Sequence, residues 1–218
     1  MARRWEVNAP AVVKFFGEHV VIHGKPSVAA AISLFAKASV SENNTDKLKI
    51  ILSDLDVEAE FGLQELKEIN NFYRNTESIS DFIGVSKVEK DILPYAVIAS
   101  RLVSEFDSNV GGKTVDISSE INMQRGLASS ASCSVAFALG LIKSLNLKLP
   151  DDVIIDLARD GDRVVHKNRN AGNIDVTTSF YGGLMVLDPK GIPLHVEMKN
   201  ELKLLLIDTG PKKSTKNF

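Results

Sequence analysis

The sequence predicts an α+β fold in which a mixed, mostly antiparallel sheet is backed by helices. Three observations support this prediction. Short apolar runs separated by turns fill the N-terminal part of the chain, as expected for antiparallel strands. Longer segments with apolar residues at helical spacing follow them. The composition is that of an ordinary globular protein, with 44% hydrophobic and 25% charged residues.

The predicted elements alternate between short strands and longer helices. Predicted strands cover residues 7–16 with an interruption at Pro10, and residues 20–22, 27–40, 47–52, 57–61, 114–118, 183–188, 195–198 and 202–208. The strand at 195–198 is expected to pair with the one at 183–188. Helices are predicted over residues 65–74, 93–106, 129–146 and 151–166. Residues 168–173 are predicted to form a polar loop that leads toward Asp175.

Length, charge and cysteine content exclude several classes of protein. The 218 residues are enough to bury a substantial core, as one large domain or two small ones. A net charge of −2 gives no support to a surface that binds nucleic acid. Cys133 is the single cysteine, so an internal disulfide is impossible and a reducing cytoplasm is expected. No apolar run reaches membrane-spanning length, so we expect no association with a membrane.

A loop of small residues before the helix at 129–146 is the strongest functional signal. Gly126 permits a tight backbone turn, and Ala128 keeps the loop thin. Ser129 or Ser130 is expected to cap the first N–H groups of the helix. The remaining N–H groups and the helix dipole favour an anion such as phosphate. Taken alone, the loop fits a serine-capped helix after a glycine turn equally well.

Three separated stretches together resemble the mevalonate kinases of the GHMP small-molecule kinase superfamily. Phe16-Gly17-Glu18-His19 and Gly24-Lys25-Pro26 are similar to the opening motif of the family. Gly126-Leu127-Ala128-Ser129-Ser130-Ala131 is similar to its phosphate loop. The third stretch is Asp162-Arg163-Val164-Val165-His166, followed by Asp175, Ser179 and Gly182-Gly183. The three occur in the expected order and span most of the chain.

The resemblance implies a fold and an activity. Residues 1–200 are expected to form the N-terminal, ATP-binding domain of a GHMP kinase, which is like domain 2 of ribosomal protein S5. Residues 201–218 are expected to begin a C-terminal domain that is truncated or not present. The implied activity is ATP-dependent phosphorylation of the primary hydroxyl of mevalonate to 5-phosphomevalonate, in isoprenoid biosynthesis, with Mg²⁺ as metal. A homodimer is plausible for such kinases.

The resemblance also implies roles for individual residues around the phosphates. Arg125 and residues 126–131 are expected to bind the nucleotide. Ser130 and Asp162 resemble the two metal ligands, and a hydroxyl and a carboxylate are hard oxygen donors that suit Mg²⁺. Asp175 resembles the catalytic aspartate, which accepts or orients the proton of the substrate hydroxyl.

Glu18 and His19, together with Asp175, resemble residues that lie near mevalonate. Val12 departs from the family pattern, because a lysine usually stands there. Lys14 faces the same side of a strand and is expected to replace that lysine; the rival interpretation is a solvated strand residue. Two other functions stay open: a kinase for another small alcohol, such as phosphomevalonate or a sugar, and a non-catalytic nucleotide-binding remnant.

Overall fold

The computed structural model describes residues 3–17, 23–169, 171, 173–188, 192–198, 203–208 and 210. These residues form a seven-stranded sheet that packs against helices. Its strands are β1 (Arg4–Phe16), β2 (Ser27–Glu42), β3 (Leu48–Leu52), β4 (Val57–Phe61), β5 (Lys113–Ser119), β6 (Leu184–Leu187) and β7 (Pro193–His195). The helices are α1 (Leu63–Asn75), α2 (Ile79–Val85), α3 (Leu93–Glu105), α4 (Ser129–Ser144), α5 (Asp151–His166) and α6 (Asn173–Tyr181).

The sheet is mixed and mostly antiparallel, as the sequence predicts. Its strand order is β4-β3-β5-β2-β6-β7, and β1 pairs with β2 outside this path. In the described part of the chain, β3 and β5 form the one parallel pair, and the other pairings are antiparallel. The long strand β2 therefore connects β1, β5 and β6. No helix in the described part is both long and apolar enough to cross a membrane.

Helix α4 lies at the centre of the core and is buried on nearly all sides. It packs against β1, β2 and β5 on the sheet and against α3, α5 and α6 on the other side. Within α4, residues 131–138 and 140–142 are buried, and Leu139 is partly exposed. A Cβ added at Gly140 would lie 3.1 Å from the Cβ of Ala38, so the glycine permits a close approach between α4 and β2. This packing fixes the position of the N-terminus of α4.

The Pro10 carbonyl of β1 ties the sheet to two helices. The pairing of β1 with β2 changes register between Pro10 and Ala11, so the strand continues through the predicted interruption. Proline has no N–H to donate to the ladder. The Pro10 carbonyl accepts hydrogen bonds from Ser132 Oγ on α4 at 2.7 Å and from Ser179 Oγ on α6 at 2.8 Å. These two bonds hold β1, α4 and α6 in a common arrangement.

Two short helices are missing from the sequence prediction. Helix α2 has 7 residues and α6 has 9, which is too few for helical spacing to stand out from the surrounding sequence. The difference matters for Asp175, because it lies in the first turn of α6 and not in a loop. A helix holds the backbone of Asp175 more firmly than the predicted loop would.

The predicted strand at 202–208 is wrong over residues 203–208, which have no strand partner. Their apolar side chains are exposed, with Leu205 84% and Ile207 74% accessible. An apolar run forms a strand only where another strand can satisfy its hydrogen bonds. Strand β7 also lies earlier than predicted, at Pro193–His195. The predicted strand at 20–22 lies outside the described residues.

Candidate active site

The loop that leads into α4 has a backbone suited to binding an anion. Positive φ angles alternate along it, at Gln124 (61°), Gly126 (78°) and Ala128 (58°). Such alternation turns neighbouring N–H groups toward one side and forms a concave anion site. The left-handed conformation costs a residue other than glycine about 1 kcal/mol, and strain of this kind is concentrated at functional sites. A Cβ added at Gly126 would meet no atom within 4 Å, so space is open at that position.

The serines at the start of α4 do not cap the helix, which corrects the sequence prediction. Ala128 is the N-cap residue, and no side chain caps the first N–H groups. Ser129 Oγ donates to the carbonyl of Ile121 at 3.3 Å, and Ser130 Oγ donates to Asp162 Oδ1 at 2.6 Å. Because both hydroxyls have other acceptors, the helix N-terminus is available to a bound anion.

Two acidic residues from different helices meet next to this N-terminus. Asp162 on α5 contacts Ser130, and Asp175 on α6 contacts Lys14 of β1, with 3.0 Å between Asp175 Oδ2 and Lys14 Nζ. One oxygen of each carboxylate, Asp162 Oδ2 and Asp175 Oδ1, is buried and has no hydrogen-bond partner in the described structure. A buried carboxylate oxygen without a donor is costly, so each one is a place where a ligand can bind.

The charges at the site influence one another. Burial raises the pKa of the Asp175 carboxyl above its ordinary value of 3.8, although the Lys14 ammonium acts in the opposite direction. The nearby Asp162 charge raises this pKa further. A hydrogen bond to Asp162 raises the pKa of His166 above its ordinary value of 6.5. The site therefore holds titratable groups that are tuned by burial and by each other, as active sites commonly do.

The packing of β1 explains why the lysine stands at position 14. Val12 is fully buried and packs in an apolar cluster with Ile174 of α6 and Met185 of β6. Its N–H donates to the carbonyl of Leu127 in the loop at 3.1 Å. Lys14, two residues further on, has a side chain that is 20% exposed and reaches Asp175. Lys14 is thus placed against Asp175, as the sequence hypothesis requires, while its catalytic role stays a prediction.

The remaining predicted residues divide into three groups. Leu127 and Ala128 pack against the core, and Ala131 is buried within it, so these residues can bind a nucleotide through their backbone. Arg125 Nη1 lies 2.9 Å from Asp208 Oδ1. Glu18 and His19 lie outside the described residues.

A metal ion fits two of the predicted residues. Ser130 and Asp162 supply hard oxygen donors, and the buried, unpartnered Asp162 Oδ2 gives a cation something to neutralise. No cluster of three or more His, Cys, Asp or Glu side chains able to hold a metal occurs among the described residues. Mg²⁺ commonly uses one or two protein ligands and completes its shell with water and phosphate, so two suffice.

The hydroxyls of Ser132 and Ser179 bond the Pro10 carbonyl. The sequence gives no sign of this role: Ser132 was not singled out, and Ser179 only as part of the third stretch. His166 was likewise named only within that stretch, and its Nε2 lies 3.3 Å from Ser130 Oγ and 3.4 Å from Asp162 Oδ1. A signal for His166 was present, because residues four apart on a helix share a face.

Comparison with known proteins relates this chain to the GHMP kinases. Residues 93–183 match the model of the GHMP kinases N terminal domain. The mevalonate kinase of Thermococcus onnurineus (strain NA1) is 34% identical over 212 residues, which cover 97% of this chain and 59% of that protein. The mevalonate kinase of Pyrococcus furiosus is 32% identical, with the same two coverages. The chain therefore spans about three fifths of the length of these curated relatives.

Solved structures show the same fold. The mevalonate kinase of Methanococcus jannaschii has a TM-score of 0.72 and 23% identity, covering 90% of this chain and 57% of its own. Lactococcus lactis galactokinase, complexed with galactose, has a TM-score of 0.70 and 19% identity, covering 90% of this chain and 48% of its own. At these identities the likeness concerns the fold alone. It confirms the predicted α+β fold of the N-terminal half of a GHMP kinase.

Proposed function

We propose that this chain is the ATP-binding part of a mevalonate kinase. The premise is that it belongs to the GHMP kinases through the N-terminal domain at residues 93–183. The reaction transfers the γ-phosphoryl group of ATP to the primary hydroxyl of mevalonate and gives 5-phosphomevalonate and ADP. The choice of substrate rests on the names of the relatives that match nearly the whole chain. The observation that carries the chemistry is the Lys14–Asp175 pair beside the N-terminus of α4.

The loop and the first turn of α4 hold the triphosphate. Backbone N–H groups around Gly126 and Ala128 point to one side, and the positive end of the α4 dipole lies behind them. Ser130 and Asp162 hold Mg²⁺ through their oxygen atoms. When bound, the ion neutralises charge on the phosphates, which is its usual contribution to phosphoryl transfer. Nucleotide binding by Arg125 stays a prediction, since its guanidinium contacts Asp208.

Asp175 accepts or orients the proton of the substrate hydroxyl. Lys14 engages one carboxylate oxygen, Oδ2, and leaves the buried Oδ1 as the atom that faces no other donor in the described structure. Because burial raises the pKa of Asp175, its carboxylate is a stronger proton acceptor than an exposed aspartate. The Lys14 ammonium fixes the orientation of that carboxylate and adds positive charge where the phosphoryl group is transferred.

The roles of Glu18 and His19 at the mevalonate site, the cytoplasmic location and the homodimer remain predictions. A non-catalytic remnant is disfavoured, because it would have no use for a half-buried Lys14–Asp175 pair whose carboxylate has an unpartnered oxygen. Another alcohol as substrate is disfavoured by the names of the relatives.

Release of ADP by the purified protein tests the proposal. ATP and Mg²⁺ are supplied with mevalonate, phosphomevalonate or galactose in parallel reactions, and nucleotide binding is measured separately by calorimetry. We expect turnover with mevalonate and background rates with the other two alcohols. Turnover with another alcohol alone would assign the chain to that substrate, and nucleotide binding without any turnover would identify a remnant.

A further inference from the structure

His166 stands where a metal ligand would stand. Three atoms, Ser130 Oγ, Asp162 Oδ1 and His166 Nε2, form a small triangle with separations of 2.6, 3.3 and 3.4 Å. Neighbouring ligands of an octahedral ion with bonds of about 2.1 Å are roughly 3 Å apart. The triangle therefore has the size of one face of a coordination sphere.

The helices deliver these three atoms from fixed positions. Asp162 and His166 lie four residues apart on α5, so their side chains share one face of the helix. Ser130 is the second residue of α4, whose position is set by burial on nearly all sides. The imidazole is about half exposed, so it can turn toward an ion without disturbing the core.

Two features indicate that the triangle can accept a cation. Asp162 is 1% exposed, yet its Oδ2 has no hydrogen-bond partner in the described part of the chain. The two contacts of His166 Nε2 are longer than the usual 2.7–3.2 Å of a good hydrogen bond. A cation bound by the Asp162 carboxylate would neutralise this buried charge, and its coordination by Nε2 would account for both long distances.

We propose that His166 is a third protein ligand of the divalent cation held by Ser130 and Asp162, and that it gives the site a preference for Mn²⁺ over Mg²⁺. This inference rests on the metal site of the proposed function and adds a ligand and a selectivity to it. Imidazole nitrogen suits transition metals, whereas Mg²⁺ strongly prefers oxygen. Replacing His166 should therefore weaken Mn²⁺ binding much more than Mg²⁺ binding.

Pulsed electron paramagnetic resonance of bound Mn²⁺ tests the ligand directly, because a coordinated imidazole couples its ¹⁴N nucleus to the metal. The purified protein with Mn²⁺ and ADP is compared with His166→Gln and with the control His23→Gln, which alters an exposed histidine. Mn²⁺ and Mg²⁺ affinities are measured by calorimetry. We expect ¹⁴N coupling in the wild type and in His23→Gln, and its loss in His166→Gln. Mn²⁺ affinity should fall about 10-fold or more in that variant, and Mg²⁺ affinity by much less.

The failures of this inference and of the proposed metal site are distinguishable. Mn²⁺ that binds the wild type without ¹⁴N coupling, and whose binding is lost in Asp162→Asn, would overturn the role of His166 and keep the metal site. A wild type that binds nucleotide but no metal would overturn both. Equal Mn²⁺ affinity in His166→Gln and wild type would likewise overturn the ligand assignment. Circular dichroism of each variant checks that the fold is retained.

Discussion

Helix α5 carries two buried aspartates, two residues apart, that belong to contrasting charge clusters. Asp160 accepts a hydrogen bond from Arg101 on Oδ2 at 2.9 Å and from Arg163 on Oδ1 at 2.7 Å, so both of its oxygens are paired. Asp162 has Oδ1 paired with Ser130, while Oδ2 has no partner in the described structure. The two residues are 2% and 1% exposed. The two aspartates are equally buried and differ in whether both carboxylate oxygens have a hydrogen-bond partner in the described structure.

The carboxylate of Asp160 has both oxygens paired without a ligand. Arg101 on α3 also binds Glu105 and Asp156, so one guanidinium connects α3 with α5. A buried carboxylate whose oxygens are both paired makes a structure rigid, whereas a partly paired one requires an explanation. The comparison teaches that one helix supplies a structural charge cluster on one face and the proposed ligand site on another face, two residues later.

The largest effect is expected on the turnover of the Asp175→Asn variant, which removes the proposed proton acceptor. An amide cannot accept the substrate proton, so the rate should fall by about 10²–10⁴-fold. Nucleotide affinity should change little, because Asp175 is not among the groups proposed to hold phosphate. ADP release and calorimetry measure the two quantities. Asp152→Asn at an exposed position of α5 is the control, and near-normal turnover in Asp175→Asn would refute the catalytic role.

Arg101→Met instead removes the guanidinium that pairs with Asp160. It leaves Asp160 buried with one partner fewer, and breaking such a pair costs about 3–5 kcal/mol. The free energy of unfolding in urea should fall by that amount, while turnover per folded molecule stays near normal. Arg4→Met, which removes an exposed pair with Glu6, should change stability by less than about 1 kcal/mol. A large loss of turnover in folded Arg101→Met would show that the two clusters are coupled.

Gly161→Ala tests both clusters at once, because this glycine lies between the two aspartates. A Cβ there would lie 2.7 Å from Ile98 Cδ1 and 2.8 Å from Ser134 Oγ, so these side chains or α5 itself would have to shift. Overpacking of this kind costs about 1–3 kcal/mol. We expect lower stability together with weaker nucleotide and metal binding, by urea unfolding and calorimetry. Gly84→Ala, where an added Cβ meets nothing within 4 Å, should not destabilise the protein.

The sequence predicts the sheet and the long helices well because their apolar spacing is local. The spacing of residues cannot distinguish Asp160 from Asp162, since both are acidic residues of one helix, and only the family resemblance singled out Asp162. Their roles depend on Arg101 and Ser130, which lie 59 and 32 positions away in the chain. The anion loop has a recognisable composition, but its serines act as donors to distant acceptors and not as caps. Only the folded packing reveals that difference.

Position 14 shows the same limit. The sequence proposed that Lys14 replaces a lysine absent at Val12, from the two-residue repeat of a strand. It could not show that Val12 lies in an apolar cluster with Ile174, where a lysine would be buried without a partner. The short helix that carries Ile174 and Asp175 was not predicted either, so the contact between Lys14 and Asp175 could only be a hypothesis.

The smallest expected effect is the dependence of stability on pH. It tests whether a buried carboxylate of the candidate site differs from the fully paired carboxylate of Asp160. Burial raises the pKa of Asp175 above 3.8 despite Lys14, so the folded state binds this proton more tightly than the unfolded state does. The resulting stability is fully present below the unfolded pKa and is lost as pH rises through the folded pKa. Wild type should therefore lose stability relative to Asp175→Asn as pH increases from about 4.

Urea unfolding of both proteins from pH 4 to pH 8 measures this difference. His166, whose pKa is also raised, contributes stability that is lost at higher pH, above its ordinary value of 6.5, and it is present in both proteins. Because the Asp175 charge also contributes to the raised pKa of His166, the two curves are compared well below pH 6.5, where His166 is protonated in both proteins and the difference isolates Asp175. Parallel curves would mean that Lys14 fully compensates the burial of Asp175. Asp175 would then be compensated as fully as Asp160 is, and its unpartnered Oδ1 would no longer indicate a functional site.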